Sequence, residues 1–234
     1  MPRLEKLLYK FNNDLNIGES IEINIDINKD NIGYLVYSGF EINYFIKNYN
    51  NEYTVKLTKK EHFSDLKKRK YSWFIKLPRT GKNGKIFYVY KFRTMQPYAE
   101  YIQSLVVEKN GLNDNGTIKD DFRITKVGKF LRKYWIDELP MLVNFVKGDL
   151  KLMGVRPLSD TMLAKYPQDF VKIRNMYKPG LIPPYYIDNP DSFEGLIESE
   201  KRYLAEYNKK GFITDIKYFF LFLRAIFLRG VRSS

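Results

Sequence analysis

The sequence predicts an α+β protein in two parts: a small β-rich unit over residues 1–58 and a mostly helical domain over residues 72–234 that carries one small β-hairpin. Three observations lead there. IEINIDIN alternates strictly, with Ile21, Ile23, Ile25 and Ile27 on one side and Glu22, Asn24, Asp26 and Asn28 on the other, which is strand periodicity. RTGKNGKIFYVYKFRTM sets a turn at Asn83 and Gly84 before the strand-like run IFYVYKF, the pattern of a hairpin. Apolar residues then recur at helical spacing over much of 125–229.

In chain order, residues 3–11 place Leu4, Leu7, Leu8 and Phe11 on one helical face. The alternating strand follows, and GYLVYSGFEINYFI and EYTVKL read as two more strands. Residues 59–71, beginning KKEHFSDLKKRK, are almost wholly polar and read as a linker before the hairpin. Over 125–145, Val127, Phe130, Leu131 and Tyr134 recur at helical spacing with Lys126, Lys129, Arg132 and Lys133 between them. Pro140, which has no N–H to donate, interrupts that helix. A helix from 160 to about 176, the loop YKPGLIPPYY and a last helical region over 192–229 complete the chain.

Forty Lys and Arg stand against 27 Asp and Glu, a net charge of +13, so the expected partner is anionic: a nucleic acid, a lipid surface or a phosphorylated substrate. Residues 1–30 hold six acids and four bases, which places the whole excess in the rest of the chain. The absence of cysteine removes disulfides, thiolate catalysis and zinc-thiolate sites, and fits a reducing compartment. His62, the sole histidine, sits in a solvated charged run, so neither a Ser-His-Asp triad nor a histidine metal cluster is expected. MPRLEKLLYKF lacks a signal-peptide core, and no stretch reaches the roughly 20 apolar residues that cross a bilayer. The chain is therefore expected to face the cytoplasm.

Against this basic background WIDELP sets Asp137 and Glu138 side by side among apolar residues. Within an α-helix adjacent residues point about 100° apart. At a helix end before Pro140, by contrast, the two acids could flank one cation. Arg93 in KFRTM, Arg123 in DDFRITKVG and Arg156 in GVRP stand in Gly, Pro or aromatic contexts that suit bidentate grips on phosphate. A carboxylate nucleophile, a divalent metal and surrounding arginines are the equipment of phosphoryl transfer through an aspartyl phosphate.

GKNGKIFYVYKFRTM, DDFRITKVGKFLRKYWIDELPMLVNFVKGDLKLMGVRP and YKPG, in this order and spacing, resemble the bacterial sugar transferases, the monotopic polyprenyl-phosphate sugar-1-phosphate transferases. The resemblance covers residues 72–182 closely and the segment DIKYFFLFLRAIF more loosely. It implies a two-step transfer of sugar 1-phosphate from a nucleotide diphosphate sugar to a polyprenyl phosphate. Asp137 would be the nucleophile, and Glu138 would help it hold Mg²⁺. Lys91, Arg93 and Arg156 match the family's cationic positions, with Arg123 and Lys178 as further phosphate ligands. In the family a long apolar segment dips into the bilayer just before the GKNGK-like motif, whereas here LTKKEHFSDLKKRKYSWFIKLP stands in that place. The loop YKPGLIPPYY also departs from the family's PGITG-type sequence.

The membrane contact then falls to DIKYFFLFLRAIFLRG, where Ile216, Phe219, Phe220, Leu223, Ile226 and Phe227 form an apolar stripe opposite Lys217 and Arg224. That pattern fits a helix lying in the lipid interface or one packed on the protein's own core. With Phe219, Phe220, Leu223, Arg224 and Phe227 as contacts, the protein would be peripheral on the cytoplasmic face of the inner membrane, alone or with a partner membrane subunit. The competing readings are a non-catalytic scaffold of polysaccharide assembly and a nucleic-acid binder using Lys67, Lys68, Arg69, Lys70, Tyr71 and Trp73. Deleting residues 216–234 is expected to abolish co-sedimentation with anionic liposomes, and undiminished sedimentation would count against the lipid contact.

Overall fold

A computed structural model describes residues 2–26, 31–48, 52–61, 70–113 and 117–229. Ile27, Asn28, His62 and residues 67–69 lie outside the described residues. The chain divides into two compact units, the first comprising Met1–Tyr71, Met95–Gly111 and Ile118–Thr125, the second Ser72–Thr94, Leu112–Thr117 and Lys126–Ser234. The first cut falls where the polar run ends. Residues 95–111 and 118–125, which sequence reading places in the helical domain, pack instead in the first unit.

The first unit contains α1 (Pro2–Asp14), β1 (Ser20–Asp26), α2 (Ile32–Tyr37), β2 (Phe40–Lys47), β3 (Glu52–Lys59) and α3 (Gln103–Asn110), with a 3₁₀ turn at Ala99–Ile102 leading into α3. The strands form an antiparallel sheet in the order β1-β3-β2. Leu4 and Leu8, Ile25, Leu35, Phe40, Val55 and Leu57 pack with Tyr98, Ile102 and Val106 in one core. Residues 32–37, read from sequence as strand, are helix. Asn31 caps that helix by accepting from the Tyr34 amide at 3.3 Å, and Gly39, at φ 84°, turns the chain into β2. Lys59, assigned by sequence to the linker, is fully buried at the end of β3, where its ammonium donates to the Leu15 carbonyl at 2.7 Å.

The second unit begins with the hairpin β4 (Phe74–Thr80) and β5 (Ile86–Phe92), turned through Asn83 and Gly84 at φ 58° and 72°. Its register sets Ile75, Leu77 and Arg79 opposite Lys91, Val89 and Phe87 on one face. There follow α4 (Lys126–Lys133), a 3₁₀ turn (Ile136–Met141), α5 (Leu142–Val146), β6 (Lys151–Met153), α6 (Asp160–Leu163), α7 (Gln168–Asn175), β7 (Gly180–Ile182), α8 (Tyr185–Asp188), α9 (Phe193–Lys210) and α10 (Phe212–Arg229). The helix expected over 160–176 divides before Pro167, and the last helical region divides at Gly211, φ 56°. β6 and β7 pair in parallel around Gly154 and Gly180. A Cβ on Gly180 would stand 2.1 Å from the Gly154 nitrogen, so only glycine permits that approach. One core gathers Met153, Leu163, Phe170, Ile197 and Tyr203 around α9, and a second sets Val89, Met141 and Leu150 beneath the hairpin.

Candidate active site

Asp137 and Glu138 occupy the 3₁₀ turn between α4 and α5 rather than one continuous helix. The break precedes Pro140: Trp135 adopts the left-handed conformation at φ 55°, uncommon for a bulky residue, and redirects the chain. Both flanks of the turn are fastened. On the α5 side, buried Asn144 donates to the Tyr88 carbonyl at 2.7 Å and accepts from the Tyr90 amide at 3.1 Å, so it pairs with β5 as a neighbouring strand would. On the α4 side, a Cβ on Gly128 would stand 2.0 Å from the Thr94 carbonyl oxygen, and Arg132 Nε donates to Thr94 Oγ1 at 3.0 Å.

The Lys91 ammonium, delivered by β5, donates to Glu138 Oε1 at 2.6 Å in a largely buried ion pair. Asp137 is 6% exposed, and its Oδ1 has no hydrogen-bond partner among the described residues. Burial pushes the Asp137 carboxyl above its ordinary range; Glu138 adds to the rise, while Lys91 and Arg132 oppose it. Lys91 is thus the cation that both acids feel.

Beside them a small cleft is lined by Arg79, Lys91, Glu138, Met141, Arg156 and Tyr186 among others. Its free space, about 40 Å³, exceeds the roughly 10–15 Å³ that one water requires and suits a group the size of a phosphate. Three cations face one carboxylate there. Burial pushes the Arg79 guanidinium below its ordinary value and neighbouring Arg156 lowers it further, so an anion there would relieve Arg79, whereas Tyr185, Tyr186 and Glu138 hold Arg156 above its ordinary value.

Arg156 is aimed from behind. Glu200, fully buried, accepts from the Arg156 amide at 2.9 Å and from Arg174 Nε at 3.1 Å, while Arg174 in turn donates to the Arg156 carbonyl. One buried ion pair therefore holds both main-chain groups of Arg156. Next to the cleft, Trp135, Leu139, Leu142, Leu181, Tyr186 and Phe222 line an apolar pocket of about 160 Å³. Trp135 Nε1 and Tyr185 Oη are buried beside Tyr186, whose hydroxyl interacts with both, and Asp137 Oδ1 is buried without a partner among the described residues. Native interiors rarely leave a carboxylate oxygen unmatched in this way, which singles out Asp137.

Of the residues singled out from sequence, Glu138, Lys91 and Arg156 line the cleft, and Asp137 lies next to Glu138 within the field of Lys91. Arg93 stands at the base of the hairpin, its Nε on the Ser72 carbonyl at 2.9 Å. Arg123 belongs to the first unit, where its guanidinium is bound by Asp121 at 2.7 and 2.8 Å and by the Ala99 carbonyl at 3.2 Å, which makes it a structural arginine of that unit. Lys178 is exposed beside Gly148 and does not line the cleft. Arg79, Glu200 and Tyr186 went unremarked in the sequence. Arg79 was within reach, because the turn at Asn83 and Gly84 fixes the hairpin register and places residue 79 on the face of Lys91.

On α10, Phe219 packs toward the α9 core and Phe222 meets Trp135, whereas Phe220 and Phe227 are 64% and 83% exposed. The predicted lipid stripe is thus divided, with Phe219 turned inward. The apolar face of α4 is outward: Val127, Phe130 and Tyr134 are all exposed between its cations. Among the described residues no helix is long and apolar enough to cross a membrane.

The family model described as bacterial sugar transferase matches residues 63–229. A galactosyl transferase, CpsE, of Streptococcus agalactiae serotype III is 38% identical over 154 residues, covering 64% of this chain and 33% of that protein. A sugar transferase of Bacillus subtilis, EpsL, is 34% identical over 164 residues, 69% of this chain and 73% of its own. The undecaprenyl-phosphate galactose phosphotransferase of Salmonella typhimurium is 39% identical over 108 residues, 44% of this chain and 22% of that protein. The stretch shared with the streptococcal relative is thus about a third of that relative's length.

Replacing Glu200 by Gln leaves Arg174 buried without its counter-charge. The expected loss of stability is about 3–5 kcal/mol, and the pair Arg174→Met with Glu200→Leu should recover most of it. Urea titration of the three proteins checks both statements.

Proposed function

The chain belongs to the bacterial sugar transferase family, and we propose that it transfers a sugar 1-phosphate from a nucleotide diphosphate sugar, a UDP-sugar by preference, to polyprenyl phosphate. Such a transfer would begin the assembly of a surface polysaccharide. The observation that carries this reading is the buried Asp137 carboxylate, one oxygen unpartnered among the described residues, next in the chain to Glu138 of a small cleft that Arg79, Lys91 and Arg156 also line. Among the relatives, one is named for a galactose phosphotransfer to undecaprenyl phosphate and another for an N-acetylgalactosamine phosphotransfer to the same lipid.

In the first step an Asp137 oxygen attacks the sugar-bearing phosphorus. The bond from that phosphorus to the bridging oxygen breaks, and nucleoside monophosphate leaves with the electron pair. Desolvation favours the attack, because a carboxylate stripped of water is more basic and more reactive than one at the surface. Lys91 keeps Glu138 in place and, with Arg79 and Arg156, offers donors to the phosphate oxygens as charge shifts between them. In the second step a phosphate oxygen of the polyprenyl acceptor attacks the same phosphorus, and Asp137 departs as the free carboxylate. The apolar pocket beside the cleft shares Glu138, Leu181 and Tyr186 with it, which suits an acceptor with a charged head and a hydrocarbon tail.

Mg²⁺ is part of this reading. Asp137 and Glu138 supply two carboxylates, and no group of three or more acidic or histidine donors stands together among the described residues. That donor set fits an ion that takes one or two carboxylates and fills its shell with water and substrate phosphate. When bound, the ion would neutralise phosphate charge that otherwise repels the attacking carboxylate.

The lipid surface is met by α4 and α10, whose exposed Phe130, Tyr134, Phe220 and Phe227 lie among lysines and arginines, at the cytoplasmic face of the membrane. Deleting residues 216–234 would also strip Phe219 and Phe222 from the interior. The better test is Phe220→Asp with Phe227→Asp, which should leave thermal unfolding unchanged and reduce liposome sedimentation severalfold; undiminished sedimentation would remove α10 from the contact.

The reaction itself is tested by nucleoside monophosphate release from a panel of UDP-sugars with Mg²⁺, with and without undecaprenyl phosphate. Asp137→Asn should lower release by at least about 1,000-fold and Lys91→Met by about a hundredfold. Release that persists without Asp137 would sink the mechanism. Because the nucleophile must be ionised and its pKa is raised, the acid limb of the rate should lie above pH 3.8, the ordinary carboxyl value. The same substitution should stabilise the fold at pH 7, by about 1 kcal/mol or 2–4 °C, since it removes a buried, unpartnered charge. That gain should shrink as pH falls through the raised pKa and the wild-type carboxyl becomes neutral.

A further inference from the structure

The first unit holds a groove of about 620 Å³, larger than either space at the active site. One wall is the start of β2, the other is the 3₁₀ turn at Ala99–Ile102 continuing into α3, with Tyr101, Leu105 and Glu108 facing the strand across it. The sheet order β1-β3-β2 leaves β2 at an edge.

That edge is open at this end. Lys60 N donates to the Gly39 carbonyl at 2.9 Å, and Lys59, next along β3, turns its amide the other way, to the Glu19 carbonyl at 3.0 Å. Antiparallel ladders alternate, so the main-chain N–H and C=O of Phe40 and Ile42 point away from β3, into the groove. None of these four groups has a hydrogen-bond partner among the described residues. Beyond the bulge between Ile42 and Tyr44 the edge is guarded: Lys109 of α3 donates to the outward Phe45 carbonyl at 2.9 Å. Lysine on an edge is a common device against unwanted strand pairing. Its placement past the bulge leaves Phe40 to Ile42 as the accessible length.

The lining is also charged against the sign of the chain. Among the described residues Glu41, Glu61 and Glu108 face the groove with one lysine, Lys60, and that lysine is already bound to Glu41 at 2.8 Å. Glu61 and Glu108 remain as a net negative pair in a protein of net charge +13. Beneath them Val36, Tyr37 and Leu105 supply an apolar floor.

We infer that this groove takes an extended segment of a partner polypeptide as a fourth strand beside β2. Main-chain bonds to Phe40 and Ile42 would fix the segment, its inward side chains would be apolar, and flanking Lys or Arg would reach Glu61 and Glu108. An edge strand facing a helix across a groove is a recurrent way to bind extended peptides, with backbone bonds giving affinity and pockets for alternate side chains giving specificity. The surface lies wholly within the first unit and owes nothing to the sugar-transfer reading.

The test uses the full chain and fluorescein-labelled heptapeptides of alternating valine and lysine. Anisotropy should report saturable binding, weakened at least tenfold when glutamate replaces lysine in the peptide or in Glu61→Lys with Glu108→Lys. A peptide N-methylated at alternate amides should lose binding to the unaltered protein, which keeps the test independent of how the variant folds. Hydrogen exchange should show new protection at residues 40–42 on binding. Equal affinity for the N-methylated peptide, protection elsewhere, no binding by the valine-lysine peptides, or occupation of the groove by a second copy of this chain would each overturn the proposal.

Discussion

A buried carboxylate with an unpartnered oxygen is unfavourable, and much of the second unit is shaped by having to hold one at Asp137. The turn that carries it cannot relax into helix, because Trp135 is left-handed and Pro140 follows. Nor can it swing into solvent, because Met141 is locked beneath the hairpin and Asn144 is bonded to two alternate residues of β5, Tyr88 and Tyr90. Lys91 is near enough to offset part of the desolvation yet is already engaged by Glu138. Lys91 therefore acts on Asp137 through space while its ammonium is bonded to Glu138. Local instability of this kind persists only where the surroundings over-determine it.

The same logic extends outward to Arg156. The Arg156 guanidinium is held above its ordinary value by Tyr185, Tyr186 and Glu138, and its backbone is fixed separately. The Arg174 and Glu200 pair fixes that backbone through main-chain bonds on both sides of the residue. A buried ion pair of this sort is poor evidence for stability, since burial takes back most of what attraction supplies. Its value here is geometric: four donors and acceptors fix one backbone position.

The sequence made the second unit more legible than the first. Strict alternation in β1 and the Asn83 and Gly84 turn are local signals, and both survive in the structure. The helix over 160–176 was read too long, the stretch over 125–145 was read as interrupted at Pro140 where the chain already breaks at Trp135, and the helical region over 192–229 is two helices. Apolar spacing continues across a break when both pieces face the same core, so only the breakers at Trp135, Pro167 and Gly211 reveal the divisions. In the first unit GYLVY has the composition of a strand, and the Asn31 cap with the Gly39 turn overrides it. The acids and Lys91 could be read because they lie in short motifs. Glu200 could not, since nothing within α9 says that one of its acids meets Arg174 of α7 and the main-chain amide of Arg156. Arg123 shows the converse: a motif-like setting surrounded an arginine whose donors are spent on Asp121, Ala99 and Gln103.

Periodicity also cannot tell which solvent an apolar face meets. On α10, Phe219 and Phe220 are neighbours with the same side chain, yet one packs on the α9 core and the other lies open. Single exposed apolar residues are ordinary on any protein. In the second unit, though, they gather on particular elements: Trp73, Phe74, Ile86 and Tyr88 on the hairpin, Val127, Phe130 and Tyr134 on α4, Leu142, Val143 and Val146 on α5. The described part of the first unit, with its own complete core, leaves few, among them Tyr9, Ile17 and Ile46. A protein partner would account for apolar residues alone, but on α4 they alternate with four cations whose long stems can lie along apolar surface while their heads reach polar groups. That mixture is what an anionic lipid interface selects, because it offers hydrocarbon and negative charge within one side chain's reach of each other.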